Sequence, residues 1–174
     1  MTNAEIARLK FAGWPLRDDY VLEVGRVTLL WAGLEDFLML CIGKLAGFNK
    51  PLDARAYILL AHSTFPQRLD NFAALCELLK TKFEHLENYE NVLSLLKAAQ
   101  KARNRFVHNG ASFDPESGTF RMAIGSARGN IKTRVDEVSI EDVKRACIQI
   151  EEANRALYKL VLKRDLPPAW HTRT

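Results

Sequence analysis

Three side chains suited to phosphate chemistry fall close together in KARNRFVHNG, residues 101–110: Arg103, Asn104 and His108. A histidine that titrates near neutrality can take the proton of an RNA 2′-hydroxyl or protonate a leaving 5′-oxygen. An arginine can hold the scissile phosphate and offset charge in the transition state. Asn104 lies one helical turn before His108, close enough for its amide to orient the ring. None of these roles needs a metal. Each residue also has a plain structural alternative. An arginine on a helix commonly snorkels to water, and a histidine at a helix end commonly serves the helix dipole. The dipole there favours the imidazolium, which suits phosphate binding or an acid role better than a base role.

These residues must be positioned by a helix spanning roughly residues 87–109, with Val92, Leu96, Ala99, Phe106 and Val107 on one side. Arg103 falls near the middle of that apolar side, where a permanent charge is costly unless paired or facing water. His108 lies about 140° further round. On this wheel the two groups do not converge within one subunit. Two such helix ends meeting across a twofold axis would gather two arginines and two histidines around one cleft. Gly110 follows, where a left-handed cap would end the helix.

The pattern Arg103-Asn104-x-x-x-His108, in RNRFVH at the end of a long helix, resembles the motif of HEPN (higher eukaryotes and prokaryotes nucleotide-binding) domains. In that family an arginine precedes a histidine by four to six intervening residues, and the residue after the arginine is usually Asn, Asp or His. The likeness would cover residues 18–163. It implies an all-helical bundle that dimerises through the motif helices. It also implies a metal-independent endoribonuclease of the kind found in toxin–antitoxin, anti-phage defence and RNA-processing systems. Arg103 and His108 would be its catalytic pair, with Asn104 positioning the histidine or touching phosphate. Some members keep only the fold and act as binding modules. Members regulated by adenylylation carry a tyrosine two residues after the histidine, and Gly110 stands there in this chain.

The whole chain agrees with a small nucleic-acid-binding protein. Its 174 residues fit one domain with its own core. The net charge of +4 is uneven: residues 1–96 hold 10 Lys+Arg and 12 Asp+Glu, residues 97–174 hold 15 and 9. The positive excess lies in the half that contains the motif, as an RNA partner would require, though a basic face is also an ordinary solvated face. Cys41, Cys76 and Cys147 are widely spaced among apolar residues and read as buried free thiols of a reducing compartment. No Cys-x-x-Cys pair or His-x-x-x-His spacing asks for a metal, and no cofactor motif appears. His62, His85 and His171 are scattered. The most apolar stretch, residues 27–47, carries Glu35 and Asp36 near its middle, so a membrane span is not expected. A cytoplasmic protein is the expectation.

The expected architecture is all-α: a bundle of four to five helices with a small β-hairpin-like insertion before the last. Residues 1–174 form one domain, with a core over 18–163, an insertion at 111–138 and a tail at 164–174. The first helix starts near Asp18 or Asp19, whose carboxylates can cap free amides, and stops at Gly47. Residues 1–16, with Gly13 and Pro15, read as loosely ordered, and Pro51 marks a connection. A short helix covers 53–62. The next has a Ser/Thr cap region and Pro66 in its first turn. Ser139 and Asp142 form the capping box of the last helix. Beyond the motif, Glu35 on the first helix either belongs to an ordinary polar face or approaches Arg103 or His108 and tunes it. Arg105 is solvent-facing or an auxiliary phosphate contact. Trp31 and Phe37 read as core or dimer contacts. The expected function is therefore a homodimeric, metal-independent endoribonuclease, a toxin or defence effector with an antitoxin or other protein partner. The alternatives are a non-catalytic HEPN-like module that binds a protein or nucleotide, and a plain structural dimeric bundle.

Overall fold

The computed structural model describes residues 2, 4–5, 16–48, 53–126 and 132–170. The expectations for residues 6–15, for Pro51 and for His171 lie outside them. Among the described residues the elements run α1 (Asp18–Leu45), α2 (Ala54–Leu60), α3 (Phe65–Leu79), a 3-10 turn (Glu84–Leu86) and α4 (Tyr89–Val107). Three strands follow, β1 (Gly110–Asp114), β2 (Thr119–Ser126) and β3 (Lys132–Val138), and then α5 (Ile140–Leu162).

Local chemistry explains most boundaries. Helix α1 begins under Arg17, whose side chain makes no cap; Asp19 instead accepts the Tyr20 N–H at 2.9 Å. That amide also donates to the Arg17 carbonyl at 3.1 Å, so neither expected carboxylate caps a free amide at the N-cap. Asp18 and Asp19 both stand in the first turn, where the helix dipole favours negative charge. Gly47, at φ 85°, takes the left-handed backbone that ends the helix. Asp53 caps α2 by accepting the Arg55 N–H at 3.0 Å. Before α3 the Gln67 amide oxygen accepts the Thr64 N–H at 2.8 Å, with Pro66 in the first turn. Gly43 permits the close approach of α2, since a Cβ there would meet the Ala56 Cβ at 2.8 Å.

Ser139 and Asp142 form the expected capping box on α5. The Ser139 hydroxyl accepts the Asp142 N–H at 3.2 Å, and the Asp142 carboxylate accepts the Ser139 N–H at 2.9 Å. The Ser139 amide, with further help from its hydroxyl and from Arg145 and Arg105, holds the Asp142 carboxyl below its ordinary range. A depressed carboxyl stabilises the fold above its unfolded pKa, and that contribution is lost as pH falls through the folded value. Asp142→Asn is therefore expected to lower the urea midpoint at pH 7, by about 1 kcal/mol of stability, and to match the parent near pH 2. Equal midpoints at pH 7 would show that the box contributes nothing.

One hydrophobic cluster joins α1, α3, α4 and α5 to the sheet. Helix α5 packs against both α1 and α4. It buries Val143, Ala146, Cys147, Ile150, Ala153, Leu157, Leu160 and Val161, the stripe expected from its spacing. On α1 the buried line is Tyr20, Val27, Trp31, Leu34, Leu38, Cys41 and Ile42. Leu30, Phe37 and Leu45 flank it, half-buried. The three thiols are buried, and burial pushes Cys147 up to about 11 and Cys76 up to about 12. They are core groups, not nucleophiles. No helix among the described residues is long and apolar enough to cross a membrane.

One boundary differs from expectation. The insertion is a three-stranded antiparallel sheet of order β1-β2-β3, not a two-stranded hairpin. Its extra strand follows α4 almost directly, pairs Phe113 with Phe120, and turns into β2 through Gly118 at φ 66°. The Phe120 ring stacks on Tyr20 of α1 at 4.1 Å, which ties the sheet to the bundle. Two contacts hold the described part of the tail, residues 164–170, against α5. The buried Glu151 carboxylate accepts the Ala169 N–H at 2.6 Å, and Arg155 donates to the Leu166 carbonyl at 3.1 Å.

Candidate functional site at the end of α4

Helix α4 buries Val92, Leu96, Ala99 and Phe106 and ends at Val107, with His108 at its C-terminal cap position. Its last carbonyls are closed by an asparagine and not by a glycine. The Asn109 amide donates to the Arg105 carbonyl at 2.8 Å and to the Asn104 carbonyl at 3.3 Å. Gly110 is already the first residue of β1, without left-handed backbone, so the expected glycine cap is corrected. A side-chain cap lets the chain pass straight from helix to strand, and a left-handed turn would have broken that path.

Arg103 is half-buried, with its guanidinium 5.6 Å over the Trp31 ring of α1. One of its terminal nitrogens, Nη1, donates to the Asn104 side-chain oxygen at 3.0 Å and also meets His108 Nε2. The two motif groups therefore do converge within one subunit. The helical wheel places Cα positions, whereas an extended arginine spans the last turn along the axis. The Asn104 oxygen is engaged by the guanidinium, and among the described residues no hydrogen bond joins Asn104 to the imidazole. A guanidinium only donates. A neutral imidazole would meet it with the lone pair of Nε2, the form a general base requires. His108 is exposed and open to a ligand.

The Arg103 Nε is buried and has no hydrogen-bond partner among the described residues. An unsatisfied buried donor costs about 1–3 kcal/mol. Arg103→Met should keep the aliphatic packing on Trp31 and remove the unpaired donor. It is expected to raise the denaturation midpoint, by roughly 1 kcal/mol. A lower midpoint would mean that Arg103 is held for stability.

Beside this pair lies a cleft of about 860 Å³ between α4, the sheet and α5. Asn104, Arg105 and His108 line it, whereas Arg103 stands on the Trp31 side of the helix. His108 thus sits on the edge shared by the arginine and the cleft. Arg105 is half-buried, lies 5.4 Å over the Phe106 ring and lines the cleft. Glu35 is half-buried on α1 and forms neither a hydrogen bond nor an ion pair with Arg103 or His108. Spacing alone did not disclose Trp31 as the platform of Arg103, or Arg134 and Arg145 as cleft residues. The positive excess of the second half was the one signal pointing to the latter. Phe37 stacks on Tyr158 at 5.2 Å, at the edge of the core. Among the described residues no group of three His, Cys, Asp or Glu side chains is arranged to hold a metal.

No protein-family model matches the chain, and no curated protein or solved structure matches it significantly.

Proposed function

We propose that the chain is a metal-independent endoribonuclease of HEPN type, active as a dimer, with Arg103 and His108 as its catalytic pair. The contact of Arg103 Nη1 with Nε2 of an exposed His108 carries this reading. An incoming phosphate competes for the guanidinium and frees the imidazole lone pair. His108 then takes the proton of the adjacent 2′-hydroxyl. The 2′-oxygen attacks phosphorus and the bond to the 5′-oxygen breaks, while Arg103 offsets the phosphorane charge. The leaving oxygen collects a proton from the imidazolium of the second copy. A 2′,3′-cyclic phosphate and a 5′-hydroxyl result. A cytoplasmic toxin or defence effector held in check by an antitoxin or other protein partner would have this chemistry.

The test is incubation of the purified chain with an RNA panel in EDTA. Cleavage should persist and leave cyclic-phosphate ends, and it should vanish in Arg103→Ala and His108→Ala. Folded wild type that cuts nothing would sink the enzyme and leave a binding module of the same fold.

The dimer has its own expected result. Sedimentation should give twice the chain mass. Because Arg103 and His108 touch within one chain, mixed Arg103→Ala and His108→Ala subunits should stay near the activity of either alone. Strong rescue on mixing would mean that the working pair is built across the interface.

A further inference from the structure

The β insertion has no place in the chemistry above, yet it walls the cleft beside His108. We infer that this cleft is a binding site for single-stranded RNA, completed by the β2–β3 ribbon and leading to the Arg103–His108 pair. The inference rests on the ribonuclease reading for its orientation and on separate residues for its substance.

Charge is the first argument. Lys101 and Arg105 of α4, Arg134 of β3 and Arg145 of α5 line the cleft against one carboxylate, Asp142. Arg145 is paired with Asp142 at 2.9 Å and Arg134 with Asp136 at 3.0 Å. Among the described residues Lys101 and Arg105 form no ion pair, and Asp142, the carboxylate whose field Arg105 shares, is already bonded to Arg145. Arg105 is the telling one, because it is half-buried. Two guanidiniums, Arg105 and Arg145, share the single Asp142 carboxylate, and one partly withdrawn from water is stabilised by a further anion brought to it.

The lining is the second argument. Ala102 and Ile124 give the cleft an apolar floor, and the Asn109 and Gln149 side chains add amides at its edge. Cations spaced along an apolar groove, with amides between them, match a nucleotide strand: phosphates outside, base faces on the apolar surface, base edges to the amides. A volume of about 860 Å³ lies in the range of small-ligand pockets and suits a short stretch of single strand instead of a duplex.

The third argument is access. Gly125 of β2 is exposed on the cleft wall, and a Cβ there would meet nothing within 4 Å. The cleft wall is open at this point, with room for a Cβ on a residue that lines the cleft.

The probe is a fluorescein-labelled single strand with 2′-O-methyl sugars, which the wild-type chain can bind but cannot cleave. Fluorescence anisotropy over a salt series should show binding that weakens as salt rises. Arg105→Ala and Lys101→Ala should each weaken it about tenfold and flatten the salt slope by about one. Gly125→Trp, with unchanged circular dichroism and melting, should weaken it by blocking the cleft. A duplex of the same sequence should bind less tightly. Wild-type binding in Arg105→Ala and Gly125→Trp, or no binding by the parent chain, overturns the assignment. The two readings fail separately. Loss of binding in these variants with no RNA cleavage by wild type would keep the cleft and remove the enzyme. Cleavage dependent on Arg103 and His108, with unaltered binding in cleft variants, would do the reverse.

Discussion

His108→Ala is expected to lower RNA cleavage by about 10²–10⁴-fold, the usual contribution of a positioned proton-transfer group. The variant should fold as the parent does, because His108 is exposed and the helix end is closed by Asn109. The loss should fall on kcat, with binding of a 2′-O-methyl strand nearly unchanged, since proton transfer occurs only after the substrate is bound. His108→Gln sharpens the result. It keeps a polar side chain near Arg103 but cannot exchange a proton near neutrality, so it should be as inactive as alanine. Arg103→Lys should fall between. It keeps a positive charge but loses the planar fork that reaches Asn104 and phosphate together. If His108→Gln cleaved RNA at more than a tenth of the parent rate, His108 would be a binding residue and the base would lie elsewhere.

The motif was visible in the sequence because its chemistry is local: arginine, amide and histidine fall within two turns of one helix. The stripes of α4 and α5 were visible for the same reason, since a regular helix repeats its buried face at fixed spacing. What the sequence concealed depended on side-chain reach and on contacts between distant elements. The wheel separated Arg103 from His108 because it tracks backbone positions and ignores the length of the guanidinium arm. Gly110 drew the helix stop to itself, while Asn109 supplied the cap and left glycine to start a strand. The strand Gly110–Asp114 was absorbed into a loop because it is short and follows a helix without a linker. Its pairing with β2, and the stacking of Phe120 on Tyr20, are long-range facts that no short window contains. The wall that this sheet gives the cleft was hidden with it. Glu35 was singled out for interrupting an apolar run, yet Trp31, one turn earlier, is the residue of α1 that reaches Arg103.

Trp31→Ala should then produce two separable losses. Its ring is 4% exposed and packs 4.5 Å from Phe65, so truncation leaves a large cavity between α1 and α3. The cost is about 3–5 kcal/mol, which for a chain of this size corresponds to a melting point lower by roughly 6–20 °C. The second loss concerns Arg103. Without the ring beneath it, the guanidinium loses its cation–π support and its fixed height at the helix end. Cleavage measured well below the new melting point should therefore fall as well. Leu86→Ala separates the two effects. Leu86 is fully buried before the opposite end of α4, and α4 alone puts about 20 Å of helix between that end and Arg103. Its loss should cost about 2–5 kcal/mol in the same core and leave cleavage by the folded protein at the parent level. Equal activity in Trp31→Ala and Leu86→Ala would show that the ring is only core. Lower activity in Trp31→Ala alone would show that a core residue of α1 also sets the catalytic arginine.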